Sequence, residues 1–379
     1  MAMSSKERMY AVIEGRQPDC FPVAPPYVIL SNADHWSELT GLPVWKFYEW
    51  RCTTNLDWHS EIYRTLYDRL PYDMVQPWFT IGRQERENTE IIMKDQIPYF
   101  HYKREDRYER VPDSIHEAGS GGGENETRYV FDQKDARERI CIVKAERLTE
   151  DGFLDFTKSL VRVYGDSRFV ISGGIVNTFY SNVYYVGMMN FYSMLYDEPE
   201  LIKYMSERLL EKNIEVIRAM AAAGGDVIYI DDATATSDMV SPQMYEEFSL
   251  PYMIREVNEI HRLGKKAMIV YFGGIADRLD LIASIGADIL VMEASMKGYQ
   301  NDLDTVMRKV GGKMCVAGNL NPYGDVEITT DSELEDRMAA QASIARTNGG
   351  RFFCATGSPL TPNTTVGRLR KFIDLGHML

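Results

Sequence analysis

The chain has 379 residues, 45% of them hydrophobic and 26% charged, with 42 basic against 56 acidic side chains and a formal net charge of −14. That composition is globular and excludes a disordered chain, a collagen-like fibre and a disulfide scaffold. So acidic a body repels phosphate and anionic lipid, so neither a nucleic acid nor a membrane is an expected partner. No apolar stretch nears the roughly 20 residues of a bilayer span. The start, MAMSSKERMYAVIEG, has no apolar signal core. Five scattered cysteines without a Cys-x-x-Cys fit a reducing cytoplasm and read as small buried apolar residues.

Along the chain, short runs that are apolar on both faces alternate with helical stretches, the pattern of buried parallel strands joined by crossovers. In order the runs are 21–29, 73–78, 168–172, 226–230, 266–270, 288–292, 313–317 and 351–355. Eight such strands close a (β/α)8 barrel. An open doubly wound sheet is the alternative, but the chain has neither G-x-G-x-x-G nor G-x-x-x-x-G-K-[ST]. Residues 86–150 break the rhythm: alternating stretches on both sides of HEAGSGGGENET predict a hairpin insertion, with a Gly-rich loop at 119–126. Residues 199–223 form an amphipathic helix with Leu201, Ile202, Met205, Leu209, Ile214, Ile217 and Met220 on one stripe. Ser241 and Pro242 start a helix that runs to about His261, as cap and first-turn residue. Units such as AAAGGDVIYIDD and RLGKKAMIVYFGG run helix end, glycine, strand. Residues 363–376 make the last helix. The expected architecture is α/β: one TIM-barrel domain over 1–379, with a hairpin insertion between strands 2 and 3.

In such a barrel the active site lies beyond the C-terminal strand ends. That rule selects Asp231 and Asp232 after strand 4, Tyr271 and Phe272 after strand 5, Glu293 after strand 6, Asn319 after strand 7 and Ser358 after strand 8. Trp78 follows strand 2, and Asn177, Phe179 and Tyr180 follow strand 3. Carboxylates around one mouth hold a cation, bind a cationic substrate, or keep one carboxyl protonated as a general acid. The plainer readings are that Asp232 caps a loop, Glu293 makes a structural ion pair and the aromatic side chains pack the mouth. None of the six histidines directly follows a predicted strand, and His261 suits a helix C-terminus. HExxH, GxSxG and Cys/His pairs at metal spacing are absent, which argues against zinc and triad hydrolases. A D-x-H-x-x-G segment that would give cobalt a histidine is absent too, so a cobalamin domain within this chain is not expected.

The order of motifs resembles the uroporphyrinogen decarboxylase superfamily, which holds porphyrinogen decarboxylases and corrinoid-linked methyltransferases and demethylases. The likeness runs from about residue 168 to the end, through GGIVNTFYSNVYYVG, GGDVIYIDDATATSDMVSP, KKAMIVYFGG, IGADILVMEAS, VAGNLNP and TGSPLTPNTT, and touches the opening KERMYAVIEGRQPDCFPV. It implies one barrel with its site in the mouth. The decarboxylases carry R-Q-A-G-R, whose arginines hold substrate carboxylates; here the matching PPYVILSNADHW has no arginine, and Thr80 stands where their catalytic aspartate falls. The zinc-dependent methyltransferases carry H-x-C-G and T-G-C; here Tyr271, Gly273 and Ser358 occupy the three ligand positions, so no metal is expected. DDATATSDMVSP resembles the strand-4 loop of demethylase-like members. The resemblance therefore implies a methyltransferase or demethylase that passes a methyl group from a small substrate to a corrinoid (cobalamin) on a partner protein. Asp231, Asp232, Tyr271 and Glu293 would be its catalytic residues, and Asn177, Trp78, Phe179, Tyr180, Phe272, Asn319 and Ser358 would line its substrate site. The alternatives are a decarboxylase of uroporphyrinogen or another acid, and a non-catalytic ligand-binding homologue. A cytoplasmic location is expected, and a homodimer is left open.

Overall fold

The computed structural model describes residues 2–78, 81–115, 127–295 and 298–379. Thr80 and the glycine-rich loop at 119–126 lie outside the described residues.

The strands are β1 Met74–Val75, β2 Thr89–Lys94, β3 Ile97–Tyr102, β4 Arg107–Arg110, β5 Phe169–Val176, β6 Val227–Asp232, β7 Lys266–Tyr271, β8 Ile289–Met292, β9 Cys315–Ala317 and β10 Phe352–Phe353. Seven of them form one curled parallel sheet in the order β1-β5-β6-β7-β8-β9-β10. Residues 22–24 close it. Val23 forms a parallel bridge with Cys354. The Ala24 amide donates to the Cys354 carbonyl at 2.9 Å, and the Asp73 amide donates to the Val23 carbonyl at 3.0 Å. The first strand is thus a short bridged segment rather than the expected run at 21–29, and Val28–Asp34 is helical. Short apolar runs do not distinguish strand from buried helix.

Each central strand is buried on both faces because helices cover the outside. Ile228, Ile230, Ile269 and Leu290 are all fully buried. Burying one such side chain is worth about 2 kcal/mol. The long helix Pro199–Ala222 turns the expected stripe inward: Ile202, Met205, Leu209, Ile217 and Met220 are buried, while Leu201 and Ile214 are partly so. The Ser241 hydroxyl accepts from the Met244 amide, as the cap requires. The helix does not continue to His261 unbroken. It divides at Ser249 into Pro242–Phe248 and Leu250–Arg262, because Pro251 has no N–H and its ring crowds the preceding turn.

The insertion follows β1. Its first half is an antiparallel meander, β2-β3-β4. Its second half, expected to alternate as strand, is the helices Gln133–Arg139 and Ala145–Glu150. Asp132 caps the first of these through the Asp135 amide. Cys315 and Cys354 are buried as expected, whereas Cys141 is exposed. Among the described residues no helix is long and apolar enough to cross a membrane.

Candidate functional site

Strand alternation decides which side chains reach the lumen. Tyr229, Met268, Val270 and Val291 line a small lumen cavity together with Tyr27 and Gln76. Asp231, Phe272 and Glu293 follow in the same phase, at the C-terminal ends of β6, β7 and β8. Asp232 and Tyr271 are in the opposite phase and face the helix layer. There the Tyr271 hydroxyl lies 2.6 Å from that of Tyr245 and 3.4 Å from Met253 Sδ.

Asp231 has an unusual environment. Its Oδ2 accepts from the Tyr27 hydroxyl at 2.6 Å. Its Oδ1 is shielded from solvent and has no partner. Burial pushes the carboxyl up to about 6; the Tyr27 hydrogen bond lowers it and neighbouring Asp232 raises it further. Asp232 is fully buried and resembles a structural cap. Its Oδ1 accepts from the amides of Thr234 and Ala235 at 2.9 and 2.8 Å, and its Oδ2 accepts from Asn177 Nδ2 at 2.8 Å. Burial also raises this carboxyl, against the pull of those amides. Behind it, Glu256 accepts from Thr178 and Asn213, both at 2.7 Å, and burial raises it to about 7. Sequence reasoning did not single out Glu256, which is a polar position on an amphipathic helix.

Tyr27 was also missed. It follows Pro25-Pro26 and takes the left-handed backbone, φ 54° and ψ 37°, at the entry to Val28–Asp34. For a tyrosine that conformation costs about 1–2 kcal/mol. Strain of this kind gathers where function demands a fixed side chain. Its ring meets Tyr229 at 6.0 Å and Phe272 at 5.7 Å between centroids. Gly174 makes room for this stack: a Cβ there would lie 2.0 Å from the Tyr229 ring. The paired glycines at 173–174 carry that signal in the sequence.

Glu293 is buried across the mouth, two strand spacings or about 10 Å from Asp231. It accepts from the Tyr299 hydroxyl and, at 3.3 Å, from the Ser358 hydroxyl. Asn319 is a brace: it donates to the Asn301 carbonyl at 2.7 Å and accepts from Gln341 at 3.2 Å. Asn177 caps the helix Thr178–Ser181 through the Tyr180 amide at 2.7 Å. Phe179 packs on Phe191 at 4.7 Å, buried outside the lumen. Tyr180 stacks on Tyr184 at 5.6 Å, and both feel the charge of Asp231. Trp78 is buried in the N-terminal helices against Phe47 and Trp50, at 5.1 and 6.1 Å. The structure therefore gathers Asp231, Phe272 and Tyr180 on one side of the mouth and Glu293 with Ser358 on the other. Asp232, Tyr271, Asn319, Phe179 and Trp78 point elsewhere.

The three positions matching the zinc ligands do not converge. Tyr271 faces Tyr245, and a Cβ on Gly273 would lie 2.5 Å from Thr236 Oγ1. Among the described residues no three His, Cys, Asp or Glu side chains group as metal ligands. The residues present do not fit zinc. What they provide is one weak acid among aromatic rings, with no cationic side chain among the described residues contributing to its ionisation.

Comparison with known proteins adds to this geometry. A family model described as Uroporphyrinogen decarboxylase (URO-D) matches residues 126–379. The uroporphyrinogen decarboxylase of Tolumonas auensis is 26% identical over 260 residues, 67% of this chain and 64% of that protein. That of Pseudomonas syringae pv. tomato is 28% identical over 192 residues, 49% of this chain and 51% of that protein. The chain thus spans under two thirds of the length of these curated relatives. A solved methyltransferase from Methanosarcina mazei has the same fold, with a TM-score of 0.67 at 16% identity over 99% of this chain and 98% of that one.

Proposed function

The chain belongs to the uroporphyrinogen decarboxylase family, and from that premise we propose that it passes a methyl group from a small substrate to a corrinoid carried by a separate protein. The observation that carries this reading is Asp231: a lumen-facing carboxyl with one donor, one orphaned oxygen and an ionisation point near neutrality, at about 6. In such a transfer the methyl–heteroatom bond breaks and leaves its electron pair on the heteroatom. Asp231 manages the proton there, either by donating its own or by holding one already on the substrate. Tyr27 orients the carboxyl, and the rings of Tyr229 and Phe272 keep water from it.

The names of the sequence relatives favour a second reading, decarboxylation of uroporphyrinogen. Against it, PPYVILSNADHW offers no arginine for the substrate's carboxylates, and the acidic mouth would repel them. The test is to incubate the purified chain with methylated amines or aryl methyl ethers and cob(I)alamin or a corrinoid protein, following the methylcobalamin absorbance. Methyl transfer that falls at least about 100-fold in Asp231→Asn is expected, the scale of a lost proton-transfer group. Release of CO2 from uroporphyrinogen without methyl transfer would overturn the reading. A purely binding homologue would do neither yet gain thermal stability with a ligand.

A further inference from the structure

An uncompensated carboxylate among aromatic faces is a receptor for an organic cation. Tyr27 bonds Asp231 directly, and the other ionisable groups whose charge couples to it from the surrounding elements are Tyr229, Tyr180, Tyr184 and Asp232. Burial holds the Tyr27 and Tyr229 phenols neutral, and Asp232 adds negative potential. Arg278, the arginine that acts on Asp232, is tied to the carbonyls of Ala235 and Val240 at 2.8 and 2.7 Å. A buried acceptor without a donor, such as Asp231 Oδ1, is costly to leave unpaired. A ligand that brings an N–H as well as positive charge would satisfy it.

We propose that the mouth takes a small protonated N-methylated amine, its N–H donated to Asp231 and its methyl groups set against the rings of Tyr27, Tyr229 and Phe272. The proposal rests on the methyl-transfer reading and gives that reading its substrate class. The leaving amine retains its proton and departs neutral, so Asp231 is its counter-charge rather than its acid. The lumen cavity beneath the rings has about 20 Å3 of free volume, room for about one water. The ammonium group therefore enters as the Tyr27 ring shifts, and it gives its N–H to Asp231 Oδ1, the oxygen without a donor, while the phenol keeps Oδ2.

Calorimetric titration of the full chain tests this without any corrinoid. The probes are trimethylammonium, tetramethylammonium and the neutral, similarly shaped tert-butanol, at pH 7.5. Trimethylammonium should bind about tenfold or more tighter than the other two, and Asp231→Asn should remove at least that factor. Affinity should also fall as the pH drops through about 6, where Asp231 takes up its proton. Should Asp231→Asn fail to fold, the wild-type pH series and the three probes carry the test alone. Absent binding, equal binding of tert-butanol, or an unchanged Asp231→Asn overturns the proposal. Methyl transfer from a neutral ether with no ammonium binding would sink this inference and spare the function. Ammonium binding with no methyl transfer would do the reverse.

Discussion

Two aspartates, one fully buried and one half-buried, stand at opposite ends of the barrel and differ in almost every respect. At the floor, Asp73 is fully buried and fully partnered. Arg8 Nη1 donates to its Oδ1 at 2.7 Å; the Val23 amide at 2.7 Å and His377 Nε2 at 2.8 Å meet its Oδ2. Burial alone would raise this carboxyl, but His377, Val23 and Arg8 together hold it below its usual range. At the mouth, Asp231 has one phenol and one empty oxygen, and burial wins. The floor aspartate ties the first helix Ser5–Ile13, residues 22–24, β1 and the last helix Val366–Gly376 into a closed ring. The mouth aspartate holds only Tyr27. A buried charge that is fully compensated contributes to the fold, and one left open is available to a ligand.

The sharpest way to break this contrast is to neutralise the floor. Asp73→Asn should lower the unfolding free energy by about 3–5 kcal/mol, the cost of stranding a buried ionic partner. Urea denaturation measures it, and a loss below 1 kcal/mol would mean that the ring is closed by backbone bonds alone. A second test asks whether zinc ligands placed at residues 271, 273 and 358 would converge at the mouth. Gly273→Cys puts a Cβ within 2.5 Å of Thr236 Oγ1, on a backbone at φ 149°. We expect a loss of about 2–3 kcal/mol from crowding. The triple variant Tyr271→His, Gly273→Cys, Ser358→Cys should take up no stoichiometric zinc by elemental analysis. Tight zinc in that variant would show that these positions do converge.

The smallest effect is in the pH dependence. Folded Asp231 ionises at about 6, against about 3.9 for an unfolded aspartate. Its contribution to stability is therefore complete below about pH 4 and is lost as the pH rises through 6. Asp73 runs the other way: its contribution is present above about pH 4 and disappears as the pH falls through its lowered folded value. Asp231→Asn should flatten the wild-type decline between pH 4 and 7 by up to about 2 kcal/mol. Parallel wild-type and variant curves across that range would place Asp231 in an ordinary, solvated setting.

Much of the barrel is legible in the sequence because a strand covered on both faces reads as a continuous apolar run. The runs at 226–230, 266–270 and 288–292 match β6, β7 and β8 to within two residues at either end. The first run is not, since Val28 and Ile29 are as apolar in a buried helix as in a strand. The candidate site is legible only as a set of strand ends. The same two-sided burial that marks the strands hides their phase, so Asp231 and Asp232 look equivalent in the sequence, as do Tyr271 and Phe272.

The chain's own pattern of apolar runs, glycine-terminated helices and capping residues determined that it would form a barrel and which side chains stand at its strand ends. Tertiary structure alone decided which aspartate enters the lumen, that Tyr27 reaches it from a strained turn 204 residues away, and that Thr236 fills the space beside Gly273. The physical reason is range. Periodicity and propensity act over a few residues, whereas burial, charge compensation and close approach depend on what distant segments bring to the same point.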